Sequence, residues 1–389
     1  MTAIWTEKRG WRIIPAMVSP LLSPYRVALA HDWLNQYGGA ERVLEVFKAL
    51  FPDAPVFTSM YAPDAMPPFY QAWDIRTSYL DRWPMVKERH QAFLPFYPSA
   101  FASLDLGGID LIISNKSAFC HGVRKPVGAR HVCYCLTPTR FVWNFSDYVA
   151  HEGRGRLARA VVPLLLEQLR AWDYAAAQNV DRFIAISRAV RERIRRYYGR
   201  DAAIIYPPVD VARYAEAAEG SPVVAGEPYY LVVSRLIPYK RVDVAIQAFN
   251  RLKRRLVIVG DGRDRPRLES LAGPTIEFWG RLPDAEMRRA MAGCQAFIFP
   301  GLEDFGLTPV EAQAAGRPVI AYAAGGALDT VIPGLTGALF SPQTAESLAE
   351  TVAATDISSF DPCVCRANAA RFDVSVFRSR LAAFLGLNQ

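Results

Sequence analysis

The chain has 389 residues, 51% hydrophobic and 21% charged, with 25 Gly and 28 Pro. That profile excludes a disordered or fibrous chain, and the length exceeds the ~100 to 150 residues of a typical single domain. Six cysteines are too few for a disulfide scaffold at this size, which predicts a reducing, cytoplasmic setting. Charge is uneven: residues 1–200 hold 26 Lys and Arg against 17 Asp and Glu, residues 201–389 hold 19 against 21, and the whole net charge of +7 lies in the first half. An anionic partner would suit that half, and so would a solvated basic surface.

In chain order, residues 1–24 read as an extended tail. The apolar stretch Trp11 to Leu22 is interrupted by Pro15 and Pro20, and proline breaks the helix that a secretory signal or membrane span needs. No 18 apolar residues run together elsewhere, so membrane contact is expected to be peripheral. From Tyr25 short apolar, β-branched runs alternate with amphipathic segments, the pattern of parallel strands joined by helices. In residues 25–205, strands are predicted over Arg26–Ala30, Pro55–Ser59, Asp110–Ser114, His131–Cys135, Arg182–Ser187 and Ala203–Tyr206. Helices are predicted over Ala40–Leu50, around Val86–Leu104, over Arg156–Ala177 and over Arg188–Tyr198. Residues 206–228, with Pro207, Pro208, Pro222 and Pro228, read as a weakly structured linker. In residues 229–364 strands are predicted over Tyr229–Ser234, Leu256–Gly260, Thr275–Trp279, Ala296–Pro300 and Val319–Tyr322. Helices follow over Arg241–Leu252, Arg265–Leu271, Asp284–Ala292, Thr308–Ala315 and Thr344–Ala354. Residues 365–389 form an amphipathic helical tail expected to pack back toward the first domain. The expected fold is α/β, two doubly wound Rossmann-like domains facing a central cleft, where the C-terminal strand ends gather ligands.

The densest chemical signal is Glu303-Asp304-Phe305-Gly306-Leu307-Thr308-Pro309-Val310-Glu311, directly after a predicted strand. Gly306 permits close backbone approach, and Pro309 suits a first helical turn whose free N–H groups can hold a phosphate. Glu303 and Glu311 beside such an anion site are suited to accepting hydrogen bonds from sugar hydroxyls. A second signal is Ser234-Arg235-Leu236-Ile237-Pro238-Tyr239-Lys240-Arg241. Arg235 can fork onto phosphate oxygens and Lys240 can act as a point charge, so the pair can stabilise a departing diphosphate. A third is His31-Asp32-Trp33 followed by Gly38-Gly39-Ala40-Glu41-Arg42. It lacks the spacing of a dinucleotide fingerprint, yet leaves backbone room for a phosphate at a helix N-terminus.

These residues resemble glycosyltransferase family 4, retaining nucleotide-sugar-dependent enzymes of GT-B fold, over nearly the whole chain from Tyr25. The resemblance rests on Gly38 to Val43, on Ser234-Arg235-Leu236 with Lys240, on Val259 to Gly262, on Gly280-Arg281-Leu282 and on the spacing of Glu303 and Glu311. The run Cys133 to Trp143 is most similar to mannosyltransferase-type members that build bacterial surface polysaccharides. The resemblance implies that Arg235 and Lys240 grip the donor diphosphate, that Glu311 holds the ribose and that Glu303 contacts the donor sugar. It further implies that Phe305, Gly306, Leu307 and Thr308 meet phosphate and sugar through their backbone. Gly38 and Gly39 would approach the phosphate, and Gly280, Arg281 and Leu282 would border the base. No metal and no redox cofactor are implied. GDP-mannose is the first expected donor and a UDP-hexose the second. The implied acceptor is a glycan or polyprenyl-diphosphate-linked oligosaccharide at the cytoplasmic face of the inner membrane.

Two departures from the family pattern concern the acceptor side. Where many members carry a histidine in the segment Ser114 to Phe119, this chain has Ser117, with His121 four residues on; both are taken as acceptor-side candidates. Leu136-Thr137-Pro138 also stands where members often read His-Thr-Pro. The pairs Cys133/Cys135 and Cys363/Cys365 have one-residue gaps that do not suit zinc, and buried thiols are expected. The Arg-rich stretch Arg188 to Arg200 comes with no nucleic-acid motif, so anionic lipid or solvent is its expected neighbour. The rival readings are a GT-B epimerase or phosphorylase and a non-catalytic nucleotide-sugar-binding protein.

Overall fold

In a computed structural model the described residues are 19–143, 156–219 and 228–387. Most of the expected N-terminal tail lies outside them, but its end is anchored: the Leu21 amide donates to the Leu50 carbonyl at 2.9 Å and Leu21 is buried. The chain divides into two compact units. One comprises residues up to Tyr206 together with those from Arg378 onward, and the other centres on Pro207–Phe377.

The N-terminal unit is built on seven strands, β1 (Val27–His31), β2 (Val56–Thr58), β3 (Ile75–Thr77), β4 (Leu111–Lys116), β5 (Arg130–Cys135), β6 (Arg182–Ala185) and β7 (Ala202–Ile204). They are parallel and ordered β3-β2-β1-β4-β5-β6-β7. Its helices are α1 (Gly39–Leu50), α2 (Tyr97–Ala102), α3 (Arg140–Trp143), α4 (Arg156–Gln178) and α5 (Arg188–Tyr198). The central strands are buried along their whole length, which is why they read as continuous apolar runs. The order reverses between β1 and β4, so the loops after these strands flank a topological switch point.

The second unit opens with α6 (Val211–Glu219) and has six parallel strands. These are β8 (Tyr230–Val233), β9 (Leu256–Val259), β10 (Ile276–Gly280), β11 (Phe297–Phe299), β12 (Val319–Tyr322) and β13 (Gly337–Phe340), in the order β10-β9-β8-β11-β12-β13. Helices α7 (Val242–Leu252), α8 (Arg265–Leu271), α9 (Asp284–Gly293), α10 (Leu307–Ala314), α11 (Ala327–Thr330), α12 (Ala345–Ala354) and α13 (Pro362–Ala370) follow, and α14 (Val374–Leu385) starts in this unit and belongs to the N-terminal one from Arg378 onward. The switch point here lies between β8 and β11. A core of Val232, Ile246, Phe249, Ile258, Ile298 and Leu348 packs one face of this sheet against α7 and α12.

Three expectations need correction. The segment around Val86–Leu104 is not one helix. It holds a 3-10 turn over His90–Phe96 and the short α2, because Pro95 falls inside the turn and Pro98 at the start of α2; proline cannot supply the donors that a continuous helix needs. The stretch 206–228 contains a regular helix, α6, which is tied to α9 by the Arg213–Asp284 ion pair at 2.7 Å. Strands β3 and β13 were not expected from the sequence. Both lie at sheet edges and neither is a continuous run of large apolar residues: β3 has one, Ile75, in three positions, and β13 opens with Gly337 and Ala338.

Candidate functional site

In the second unit the loops leaving β8 and β11 bring together residues far apart in the chain. The Lys240 ammonium bonds the Glu303 carboxylate across 63 positions, and the two side chains keep 18% and 14% of their surface open. Lys240 ends a 3-10 turn, Pro238–Lys240, that follows β8. Glu303 follows Gly301, whose position allows the β11 loop to pass close to the Lys240 carbonyl. Tyr239 links the two cations. Its hydroxyl accepts from Arg235 at 3.2 Å, and the Lys240 ammonium sits 5.3 Å from its ring centre. Sequence reasoning passed over Tyr239, although it lies between the two cations it had singled out.

Helix α10 begins directly after this loop. Gly306 precedes it with φ +85°, a left-handed conformation, and a Cβ there would lie 2.8 Å from the Phe299 ring, so a larger residue fits poorly. Leu307 and Thr308 form the first turn and are half-buried. Phe305 is buried against Phe372, with ring centres 5.5 Å apart. Glu311 is only 1% exposed on the inner side of α10; it is far less open than Glu303.

A second element missed in the sequence is Gly325-Gly326, after β12. The Gly326 amide donates to the Glu303 carbonyl at 2.9 Å, and any Cβ on Gly326 would run into the Phe305 backbone. The signal was available: a glycine pair between an apolar strand and a helix. Gly280, Arg281 and Leu282 lie at the end of β10, two strands away from β8 at the sheet edge. The Gly280 carbonyl accepts from Gly260 at 2.7 Å, while Arg281 is exposed and Leu282 half-buried.

Gly38, Gly39, Ser117 and His121 belong to the N-terminal unit. Gly38 and exposed Gly39 open α1, and the Asn115 amide reaches the Ala40 carbonyl at 2.8 Å. His31 Nε2 lies 3.1 Å from the buried Glu41 carboxylate, and its Nδ1 lies 3.3 Å from the Asn115 amide. Asp32, which the sequence reading quoted without a role, organises the loop after β4. Its carboxylate accepts from the backbone N–H groups of Ser117 (2.6 Å), Ala118 (2.8 Å), Phe119 (2.6 Å) and Cys120 (2.7 Å), and from the Ser117 hydroxyl at 2.9 Å. Burial favours the protonated acid, but the influence of His31, the amides of Ser117 and Cys120 and Lys116 outweighs it, and the carboxyl lies below its ordinary value.

The acceptor-side expectation is corrected at His121. Its side chain is buried between Trp172 and Tyr198, with Nε2 3.3 Å from the Asp173 carbonyl. Burial, reinforced by Lys116, pulls its pKa down to about 4. It joins a core network in which Asp173 accepts from Thr139, Trp143 and Tyr198, each at 2.7 Å, with the buried Lys116 ammonium 3.9 Å away. Ser117 spends its hydroxyl proton on Asp32. Five cysteines are buried as free thiols, whereas Cys363 is exposed. Among the described residues no group of three or more His, Cys, Asp or Glu is arranged to hold a metal, and no helix is long and apolar enough to cross a membrane.

Two parallel α/β units in one chain, with a cation–carboxylate pair and a helix N-terminus at the switch point of the second, define the GT-B class. Two family models match the chain, Glycosyltransferase Family 4 over residues 37–213 and Glycosyl transferases group 1 over residues 215–355. The chain belongs to these glycosyltransferases. A GDP-mannose-dependent alpha-mannosyltransferase of Mycolicibacterium smegmatis is 44% identical over 115 residues, 29% of this chain and 30% of that protein. One of Mycobacterium tuberculosis is 35% identical over 190 residues, 46% and 48% of the two chains. A glycogen synthase of Mycobacterium tuberculosis is 31% identical over 213 residues, 51% of each. The chain spans about half the length, or less, of these curated relatives. Among solved structures, Anabaena HepE in complex with UDP matches with a TM-score of 0.67 at 20% identity, covering 93% of this chain and 99% of that one. Sucrose-phosphate synthase of Thermosynechococcus elongatus matches with a TM-score of 0.70 at 21% identity, covering 92% and 98%. Both share the fold.

Proposed function

We propose that this protein is a retaining hexosyltransferase that moves a sugar, mannose first, from a nucleoside diphosphate donor to a hydroxyl of a glycan or polyprenyl-diphosphate-linked acceptor. What supports the reading is the Lys240–Glu303 pair at the β8/β11 switch point, beside the N-terminus of α10. Negative charge grows on the diphosphate as the bond from the sugar's anomeric carbon to phosphate oxygen breaks. A Lys240 point charge, an Arg235 fork and the free amides of α10 can stabilise that charge more than they stabilise the ground state. Glu303 orients Lys240 and can accept from hydroxyls of the donor sugar. In the scheme the acceptor oxygen bonds the anomeric carbon on the face the diphosphate leaves. The departing phosphate oxygen takes the acceptor proton, so the configuration is retained. The scheme uses no metal, because the cationic side chains and the helix end supply the positive charge.

Mannose from GDP-mannose is favoured by the similarity to the two GDP-mannose-dependent mycobacterial mannosyltransferases. A UDP-hexose is the second reading, favoured by the UDP and UDP-glucose complexes of HepE. A cytoplasmic enzyme at the inner face of a membrane would meet both a nucleotide sugar and a lipid-linked acceptor. The test is a panel of nucleotide sugars incubated with purified protein, reading thermal stabilisation and nucleoside diphosphate release, with Glu311→Ala beside wild type. One donor should stabilise the protein and be slowly hydrolysed. Binding without release would favour the non-catalytic sugar-nucleotide binder, interconversion of the sugar without release an epimerase, and no binding at millimolar donor would end the reading.

A further inference from the structure

Residues 79–97 of the N-terminal unit carry an aromatic surface that the transfer chemistry leaves unused. Trp83 meets three rings, tilted against Tyr79 at 5.6 Å and edge-on to Phe93 at 6.0 Å and Phe96 at 4.9 Å, measured between ring centres. Trp83, Met85 and Phe96 nevertheless remain 36%, 58% and 42% exposed. The outward presentation is built into the fold. Leu80, Val86 and Tyr97 are fully buried and anchor the segment in the core. Met85, between them, is held at φ +58°, a left-handed conformation uncommon for a side-chain-bearing residue, with its carbonyl accepting from the Arg89 amide at 2.9 Å. Arg82 and Arg89 are exposed on this surface and Lys87 is half-buried in an ion pair with Asp81 at 3.1 Å; Glu88 is its exposed acid.

We propose that the 79–97 segment is a bilayer-interface contact that seats on an anionic lipid surface. Amphipathic rings settle at the headgroup level of a membrane, and nearby arginines are drawn to anionic lipid. The excess of basic residues in the first half of the chain gives the same complementarity at longer range. The position adds a reason: Asn35 donates to the Lys87 carbonyl at 2.8 Å, and Trp33 lies 5.0 Å from the His90 ring. Asn35 and Trp33 belong to the loop from His31 to Gly38, at the C-terminal end of β1. A protein seated this way holds that loop close to the lipid surface, where a polyprenyl-linked acceptor would be delivered. This part of the inference rests on the transferase reading.

The experiment is flotation of the full chain with neutral phosphatidylcholine vesicles and with vesicles containing a third phosphatidylglycerol, at 0.05 M and 0.5 M salt. Light scattering measures the oligomeric state, and donor-dependent thermal stabilisation reports the second unit. Wild type should bind the anionic vesicles at low salt and release at high salt. W83S/M85S/F96S should bind at least tenfold less, R82E/R89E should lose the anionic preference, and R191E/R195E on α5 should bind as wild type. Absence of vesicle binding, equal binding by W83S/M85S/F96S, or a wild-type dimer that this variant dissociates would overturn the contact. Vesicle binding with no response to any nucleotide sugar would remove the transferase reading and leave the contact in place.

Discussion

The Lys240 ammonium meets the Glu303 carboxylate because two short loops, after β8 and β11, end on the same edge of a parallel sheet. If Lys240 acts on the developing diphosphate charge, Lys240→Ala should lower kcat by a factor of about 10² or more while leaving the melting temperature near wild type, since the side chain is partly open. Steady-state kinetics with the preferred donor would decide it; unchanged kcat would remove Lys240 from the site. Asp32 presents the opposite case, a carboxylate whose work is structural. Asp32→Asn leaves five donors facing one amide oxygen and an NH₂ group, and should cost about 2–3 kcal/mol of stability in urea unfolding. Its folded pKa is depressed, so its contribution is full above the unfolded value of about 3.9 and fades as pH falls through the lower folded value. The gap between wild type and variant should therefore hold from pH 8 to 5 and narrow only in stronger acid.

At the scale of elements, the Glu303 loop is held by contacts of backbone rather than of side chains. Gly326 touches Phe305 so closely that Gly326→Ala must push α11 away from the loop or break the amide bond to Glu303. The expected result is a fall in kcat/KM of about 10-fold or more with retained folding, read from kinetics and circular dichroism together. The element also shows what a sequence can disclose. The Glu303–Glu311 run and the Arg235–Lys240 run were legible because charge placed between an apolar strand and a helix is expensive to keep without a use. Gly325-Gly326 was passed over because a glycine pair carries no charge, and its importance lies in a neighbour 21 positions away. The same distinction holds for strands. The buried β1, β4, β8, β9 and β12 announced themselves as apolar runs, while β3, with Arg76 at its middle, and β13, beginning Gly-Ala, sit at sheet edges where burial asks less of the sequence. His121 was misplaced for a related reason: a sequence shows that a titratable group follows a strand, but not that Trp172, Tyr198 and Asp173 close over it.

Across the whole molecule the titratable groups are distributed as unevenly as the charge. All five histidines, at positions 31, 90, 121, 131 and 151, precede residue 207, and the second unit has none. Two of them are buried and held neutral. Desolvation, aided by Lys116, brings His121 to about 4, and desolvation, aided by His121, brings His131 to about 3. His131 is further fixed by Ser114, whose hydroxyl lies 2.8 Å from its Nε2. In the unfolded chain both rings titrate near 6.5. Between that value and about 4 the unfolded state therefore binds protons that the folded rings refuse, so their contribution to stability is complete above pH 6.5 and falls as the pH drops; burial raises the Glu45 carboxyl to about 7, and the proton it takes up in the folded state offsets roughly one of the two rings. Each histidine contributes a slope of up to about 1.4 kcal/mol per pH unit. The two units should consequently separate in acid. Scanning calorimetry from pH 7.5 to 5 should show the transition of the N-terminal unit moving to lower temperature while that of the second unit holds nearly still, because few carboxylates titrate in that window. His131→Gln, which keeps a polar partner for Ser114, should flatten the shift. Two transitions that move together, or a variant that melts with the wild-type pH dependence, would mean that the buried rings do not govern the acid response and that the carboxylates of both units do.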